Sequence, residues 1–143
     1  MANGEKDLVL EELENGVMRL ILNDEKRRNA LSENMLDALH EKIMDSAKNP
    51  KIRVVIISAK GPVFCAGHDL KEITQARDYK DGGIIYFQNL FDKCSEVMKG
   101  IVTNPKPVIA EVNGVATAAG CQLVASCDLA IASDASKLSL IHI

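Results

Sequence analysis

Two short stretches combine bare backbone with side chains suited to chemistry: Ala66-Gly67-His68-Asp69 and Ala119-Gly120-Cys121-Gln122. Each places an Ala-Gly pair after an apolar run and ahead of an expected helix. Glycine allows backbone angles and close approaches that a Cβ forbids. The first N–H groups of a helix lack intrahelical partners and carry partial positive charge. Two such turns facing each other would aim two N–H groups at one oxygen, forming an oxyanion hole. Losing one donor from such a hole costs about 10²–10³ in rate. One turn alone is explained by tight helix-on-strand packing; the pair points to a site. Gln122 is polar but not ionisable. It can hydrogen-bond a water or an acyl group, but it cannot exchange a proton near neutral pH.

Both stretches lie in an internal repeat. "VIISAKGPVFCAGHDL" (55–70) aligns without gaps on "VIAEVNGVATAAGCQL" (108–123), with six of sixteen positions identical. Each copy reads strand, glycine turn, Ala-Gly, helix start. The shared glycine spacing predicts two turns of one β-to-α spiral.

The elements that must position these turns follow from periodicity. "VLEELENGVMRLIL" predicts a β-hairpin, because Asn15-Gly16 suits a type I′ turn; Met18, Leu20 and Leu22 then share one face. "NDEKRRNAL" is a charged loop. Ser32 is an expected N-cap for a helix to about Lys48, with Met35, Leu36, Leu39, Ile43 and Met44 as its apolar stripe, ended by Asn49-Pro50. "RVVIISA" and "KPVIAEV" read as strands buried on both faces. A short helix is expected from about Asp69. A longer one carries Phe87, Leu90, Phe91, Cys94, Val97, Met98 and Ile101 on one side. "AAGCQLVAS" is helical and "DLAIAS" a third short strand. Strands alternating with helices make the chain α/β, with no linker or second domain.

Composition sets limits. A chain of 143 residues with 47% hydrophobic content suits one globular domain. A net charge of −3 argues against a general nucleic-acid binder. No apolar run approaches the ~20 residues of a membrane span. The N-terminus has neither a signal-peptide apolar core nor an Arg-rich transit pattern, although processing would remove such a leader. Cys65, Cys94, Cys121 and Cys127 form no C-x-x-C, and His40, His68 and His142 are scattered. Free thiols in a reducing compartment are expected, and no metal site.

"GPVFCAGHDLKE" together with "KPVIAEVNGVATAAGCQLVASCDLAIAS" resembles the crotonase, or enoyl-CoA hydratase/isomerase, superfamily. Asn29-Ala30-Leu31 matches that family's early CoA-contacting loop, and "AGHDL" with "GCQLVASCD" marks one branch of it. The resemblance implies a spiral of repeated ββα units and an acyl-CoA thioester of fatty-acid metabolism as ligand. Its carbonyl would be held by the backbone N–H groups of His68 and Ala119. A His68 side chain acting as general base or metal ligand is the lesser expectation. Arg28, Ala30, Ala66, Gly67, Asp69 and Gly120 complete the implied substrate and CoA site, with Ala66 to Asp69 along the adenine end. Asp69 could equally be a helix cap. One of Lys26, Arg27 and Arg28 is expected on the CoA phosphates. No tightly bound cofactor is implied, since coenzyme A arrives with the substrate. Relatives are trimers or hexamers. A bacterial chain would be cytoplasmic, and a eukaryotic one would belong in the mitochondrial matrix.

Hydratases of this family carry Glu where this chain has Gln122, and a second Glu later in the chain. The resemblance therefore implies either a weak hydratase or isomerase, or a non-catalytic acyl-CoA-binding or regulatory relative. The family continues well past this length, with a C-terminal region used in trimer assembly. After "DLAIASDAS" the expected aromatic and Pro-containing segment is replaced by Lys137 and "LSLIHI". Those six residues also match a reading frame of a sequencing-library adapter. Residues 1–137 are thus expected to be the N-terminal part of a crotonase-like domain, and 138–143 a non-native tail.

Overall fold

Asn15 and Gly16 both take positive φ, 51° and 85°. Their turn joins β1 (Val9–Glu14) to β2 (Val17–Leu22) as an antiparallel hairpin. Met18, Leu20 and Leu22 point inward together, as their alternation requires. From this hairpin a parallel sheet grows through β3 (Val54–Ala59), β5 (Val108–Val112) and β7 (Leu129–Ala132), in the order β1-β2-β3-β5-β7. The computed structural model describes residues 7–141, so His142 and the last residue of the expected tail lie outside it.

A second sheet consists of three-residue parallel strands: β4 (Val63–Cys65), β6 (Val115–Thr117) and β8 (Lys137–Ser139). Periodicity cannot register strands this short, and the sequence marks the first two only as turns. Four α-helices occur among the described residues: α1 (Glu33–Lys48), α2 (Leu70–Ala76), α3 (Ile84–Val102) and α4 (Ala119–Ser126). The chain order is therefore strand-strand-helix in each copy of the repeat, β3-β4-α2 and then β5-β6-α4. The copies stack in the register of their sequence alignment: Val55 pairs with Val108, Ile56 with Ile109 and Ile57 with Ala110. They diverge at the helices. The alignment sets Ala119 against Ala66, yet α4 begins at Ala119 and α2 only at Leu70.

Ser32 caps α1, its Oγ accepting from Met35 N at 3.2 Å. Met35, Leu36, Leu39 and Ile43 face the core, but Met44 is exposed and leaves the expected stripe. On α3, Leu90, Cys94, Val97, Met98 and Ile101 are buried. Phe87 is half-buried and Phe91 is 54% exposed. Both aromatics lie on the N-terminal half of α3, where Phe91 packs against His68 rather than entering the core. All four residues of β7 are exposed, with Leu129 and Ile131 at 62% and 66%. Their apolar character fits a covered strand, and nothing in the described residues covers it.

The charged loop after the hairpin has a buried anchor that composition hid. Asn29 has φ 50° and 0% exposure. Its Nδ2 donates to Lys60 O at 2.9 Å and Val63 O at 2.8 Å, and its Oδ1 accepts from Asp24 N at 2.8 Å. Asn29 thus pins the 24–31 loop to the start of β4. Asn29→Ala removes three hydrogen bonds at about 1 kcal/mol each and strands buried carbonyls. Denaturant unfolding of the full-length gene product is expected to show a loss of about 3 kcal/mol. A loss below about 1 kcal/mol would mean that the loop is held by other contacts.

Candidate active site

The first turn is fastened on three sides. Ala66 N donates to Arg28 O at 3.1 Å, and Leu31 N donates to Gly67 O at 2.8 Å. The Thr117 hydroxyl donates to Ala66 O at 3.1 Å, which ties the first turn directly to β6. Gly67 sits at φ 86°, where a side chain is strained. Downstream, Asp69 caps α2 through Lys71 N at 2.9 Å and Glu72 N at 3.4 Å.

The second turn depends on Ala118, which lies at φ 49°, ψ −122°. A non-glycine residue there stores strain of about 1–3 kcal/mol, the kind of cost that collects at functional sites. Its N–H donates to Ser139 O at 2.8 Å, and its carbonyl accepts the first helical bond of α4 from Gln122 N at 3.1 Å. No side chain caps α4. The stripped backbone of this segment lies against the first copy of the repeat: a Cβ on Gly120 would stand 2.2 Å from Cys65 O. Small residues here permit α4 to ride on the β4 backbone.

The two turns touch. A Cβ on Gly67 would lie 3.1 Å from Ala118 Cβ and 3.3 Å from Ala119 N. Among the described residues, neither His68 N–H nor Ala119 N–H donates to a protein acceptor. Backbone donors near the core normally find partners. Two adjacent donors without one are suited to an oxygen from a ligand.

A cavity opens on either side. One, of about 790 Å³, lies between α3 and α4, with Phe91, Met98, Val102, Ala119 and Gln122 in its wall. The other, of about 640 Å³, is basic, with Lys26, Arg28, Lys71 and Lys137 around Ala30 and Ala66. Among the described residues, His68 alone lines both. Gln122 is exposed, and its side chain makes no hydrogen bond among the described residues.

The three cations of the loop separate. Arg27 is engaged, at 2.9 Å from Asp69 Oδ2 and 3.5 Å from Glu72 Oε1. Lys26 and Arg28 make no ion pair among the described residues and face the basic cavity. Asp69 is 6% exposed, and both its oxygens are committed to the α2 cap and Arg27. It shapes the wall, and its carboxylate holds α2 and Arg27 in place. Gly120 likewise packs on β4 and lines neither cavity.

His68 packs edge-on against Phe91, ring centroids 5.5 Å apart. Its Nδ1 is buried without a hydrogen-bond partner. Burial pushes the imidazole below its ordinary 6.5, with the Leu31 backbone acting the other way. The ring is therefore neutral at pH 7. Burial also pushes the Cys65 and Cys127 thiols up to about 12, so both are unreactive. All four cysteines are free. No cluster of metal-ligating side chains occurs among the described residues, and no described helix is long and apolar enough to cross a membrane.

Sequence reasoning picked out both Ala-Gly turns and placed Asn29 in a CoA-contacting loop, but missed Ala118 and Thr117 and the part Asn29 plays as a buried anchor. Asparagine tolerates positive φ, so Asn29 had a signal. Alanine has no such preference, and nothing local marks Ala118.

Residues 12–143 match the sequence profile of the enoyl-CoA hydratase/isomerase family. The chain is 52% identical over 139 residues to enoyl-CoA hydratase domain-containing protein 3, mitochondrial, of Danio rerio, covering 97% of this chain and 46% of that protein. It is 50% identical over 124 residues to the Homo sapiens protein of the same name, covering 87% and 39%. A crystal structure of that human protein superposes with a TM-score of 0.84 at 46% identity, over 92% of this chain and 50% of the other. The chain spans about half the length of the curated relatives it matches. With a stacked ββα spiral, the family's sequence profile and this degree of identity, the chain belongs to the enoyl-CoA hydratase/isomerase family.

Proposed function

We propose that this chain forms the part of an acyl-CoA-processing protein that grips the thioester. The carbonyl oxygen sits between His68 N–H and Ala119 N–H. The acyl chain enters the cavity between α3 and α4, and the CoA phosphates run through the basic cavity beside Lys26 and Arg28. The observation that carries this reading is the pair of undonated N–H groups on touching turns, flanked by one apolar and one basic cavity. Coenzyme A comes and goes with the substrate, and the working unit is a trimer or a dimer of trimers. For a eukaryotic chain, the relatives named as mitochondrial support a mitochondrial location.

A second reading is a non-catalytic acyl-CoA-binding relative. Gln122 favours it, because an amide at that position does no proton chemistry. Both readings require thioester recognition. Titration calorimetry on the full-length gene product is expected to show butyryl-CoA binding at least tenfold tighter than free CoA, and both weakening as salt rises. Equal affinity for the two would remove the oxyanion contact. No binding of either would remove the site.

A further inference from the structure

We propose that the His68 imidazole is the proton acceptor of this site, taking the α-proton of the thioester whose carbonyl its own backbone N–H holds. The proposal rests on the thioester reading given above. Its first support is position. Among the described residues His68 is the one common to both cavities, so a ligand threading from the basic cavity into the apolar one passes it. The second is the state of the two ring nitrogens. Nδ1 is the one buried side-chain nitrogen or oxygen among the described residues without a partner. The Leu31 backbone favours the protonated ring, and burial opposes it more strongly. Nε2, by contrast, is not buried and makes no hydrogen bond among the described residues, so its lone pair is open to a ligand when Nδ1 carries the proton.

The third support is that no competing base faces the ring among the described residues. Gln122 cannot accept the proton. Of the titratable groups that face the ring, Asp69 beside it is held by Arg27 and the α2 cap. From α3, burial keeps the Cys94 thiol protonated, and Lys99 pairs with Glu96 at 3.0 Å. The other charges around the basic cavity are cations: Lys26, Arg27, Arg28, Lys71 and Lys137. No carboxylate lines the apolar cavity among the described residues.

In the step itself, Nε2 takes the α-proton and the C–H electron pair becomes the C=C bond of the enolate. The carbonyl π pair moves to the oxygen, held by the His68 and Ala119 N–H groups. Return of a solvent-exchanged proton from the imidazolium restores the thioester. Nothing is oxidised or reduced, and the net result is isotope exchange at the α-carbon.

The test is deuterium incorporation into butyryl-CoA in D₂O, followed by mass spectrometry on the full-length gene product, with affinity measured in parallel. The parent is expected to exchange. Its rate should rise with pH as the imidazole loses its proton and level off above a midpoint below the ordinary 6.5. His68→Gln keeps the backbone donor and a polar side chain. It is expected to lower the rate constant at saturating ligand at least tenfold and to abolish the inflection, while affinity changes little. Equal exchange by His68→Gln, or no exchange by a parent that binds butyryl-CoA, would overturn the proposal. A parent that fails to bind at all would instead overturn the thioester reading on which it rests.

Discussion

Gly67→Val is expected to cost about 2–6 kcal/mol of folding stability and to cut acyl-CoA affinity at least tenfold. Two costs combine. Valine at φ 86° is forced into a backbone region that β-branched residues avoid, worth about 1–3 kcal/mol. Its Cβ also lands 3.1 Å from both Ala118 Cβ and Thr117 O, and 3.3 Å from Ala119 N. Relieving that overlap costs about 1–3 kcal/mol more. The atoms that must shift are those of the second turn, so the damage falls on the Ala119 donor as well as on stability. Gly82→Ala separates the two effects. Gly82 also has positive φ, 69°, but a Cβ there meets nothing within 4 Å. That variant should lose about 1–2 kcal/mol from strain alone and bind acyl-CoA like the parent. Denaturant unfolding and calorimetry on both variants check the pair. If Gly67→Val bound acyl-CoA normally, the two turns would not form one site.

The contact between the turns shows where sequence reasoning succeeds and stops. The gapless alignment of 55–70 on 108–123 predicted stacked copies, and the Val55–Val108 register bears that out. A period of this kind survives in sequence because both copies must present the same side chains to the same neighbours. The hairpin, Ser32 cap and helix stripes were legible for a similar reason: each is a local pattern with one dominant physical cause. What was not legible depends on partners far along the chain. Asn29 reads as one more polar residue in a charged loop until Lys60 and Val63 offer it two carbonyls. Arg27 could not be told from Lys26 and Arg28 until α2 brought up Asp69 and Glu72. Phe91 belongs to the apolar side of α3 by spacing, yet it is left outside the core as a wall for His68. The site as a whole lies midway. Its glycines and its amide were visible, but the two cavities that give His68 its place arise only when α3, α4 and the 24–31 loop converge.

Gln122→Glu is expected to raise the hydration of a short enoyl-CoA by about 10²-fold or more, the usual contribution of a positioned acid or base. The parent should be slow, because water addition needs one group to orient and deprotonate water and another to deliver a proton to the α-carbon. The family resemblance assigns both tasks to carboxylates. Here the first is an amide, and the apolar cavity wall contains no Asp or Glu among the described residues. A carboxylate introduced at position 122 therefore needs a partner, and two sources are open. One is a carboxylate from chain beyond residue 141. The other is His68, which shares that cavity with Gln122. Repeating the substitution in a His68→Gln background separates them. A gain that survives there identifies a carboxylate outside the described residues. A gain that vanishes identifies the imidazole, and it fits the α-proton exchange expected of the parent. The measurement is loss of enoyl-CoA absorbance at saturating substrate in the full-length gene product. A parent hydrating at the typical enzymatic rate of roughly 1–10³ s⁻¹, or a Gln122→Glu variant no faster than the parent, would show that the missing acid is not what limits this site.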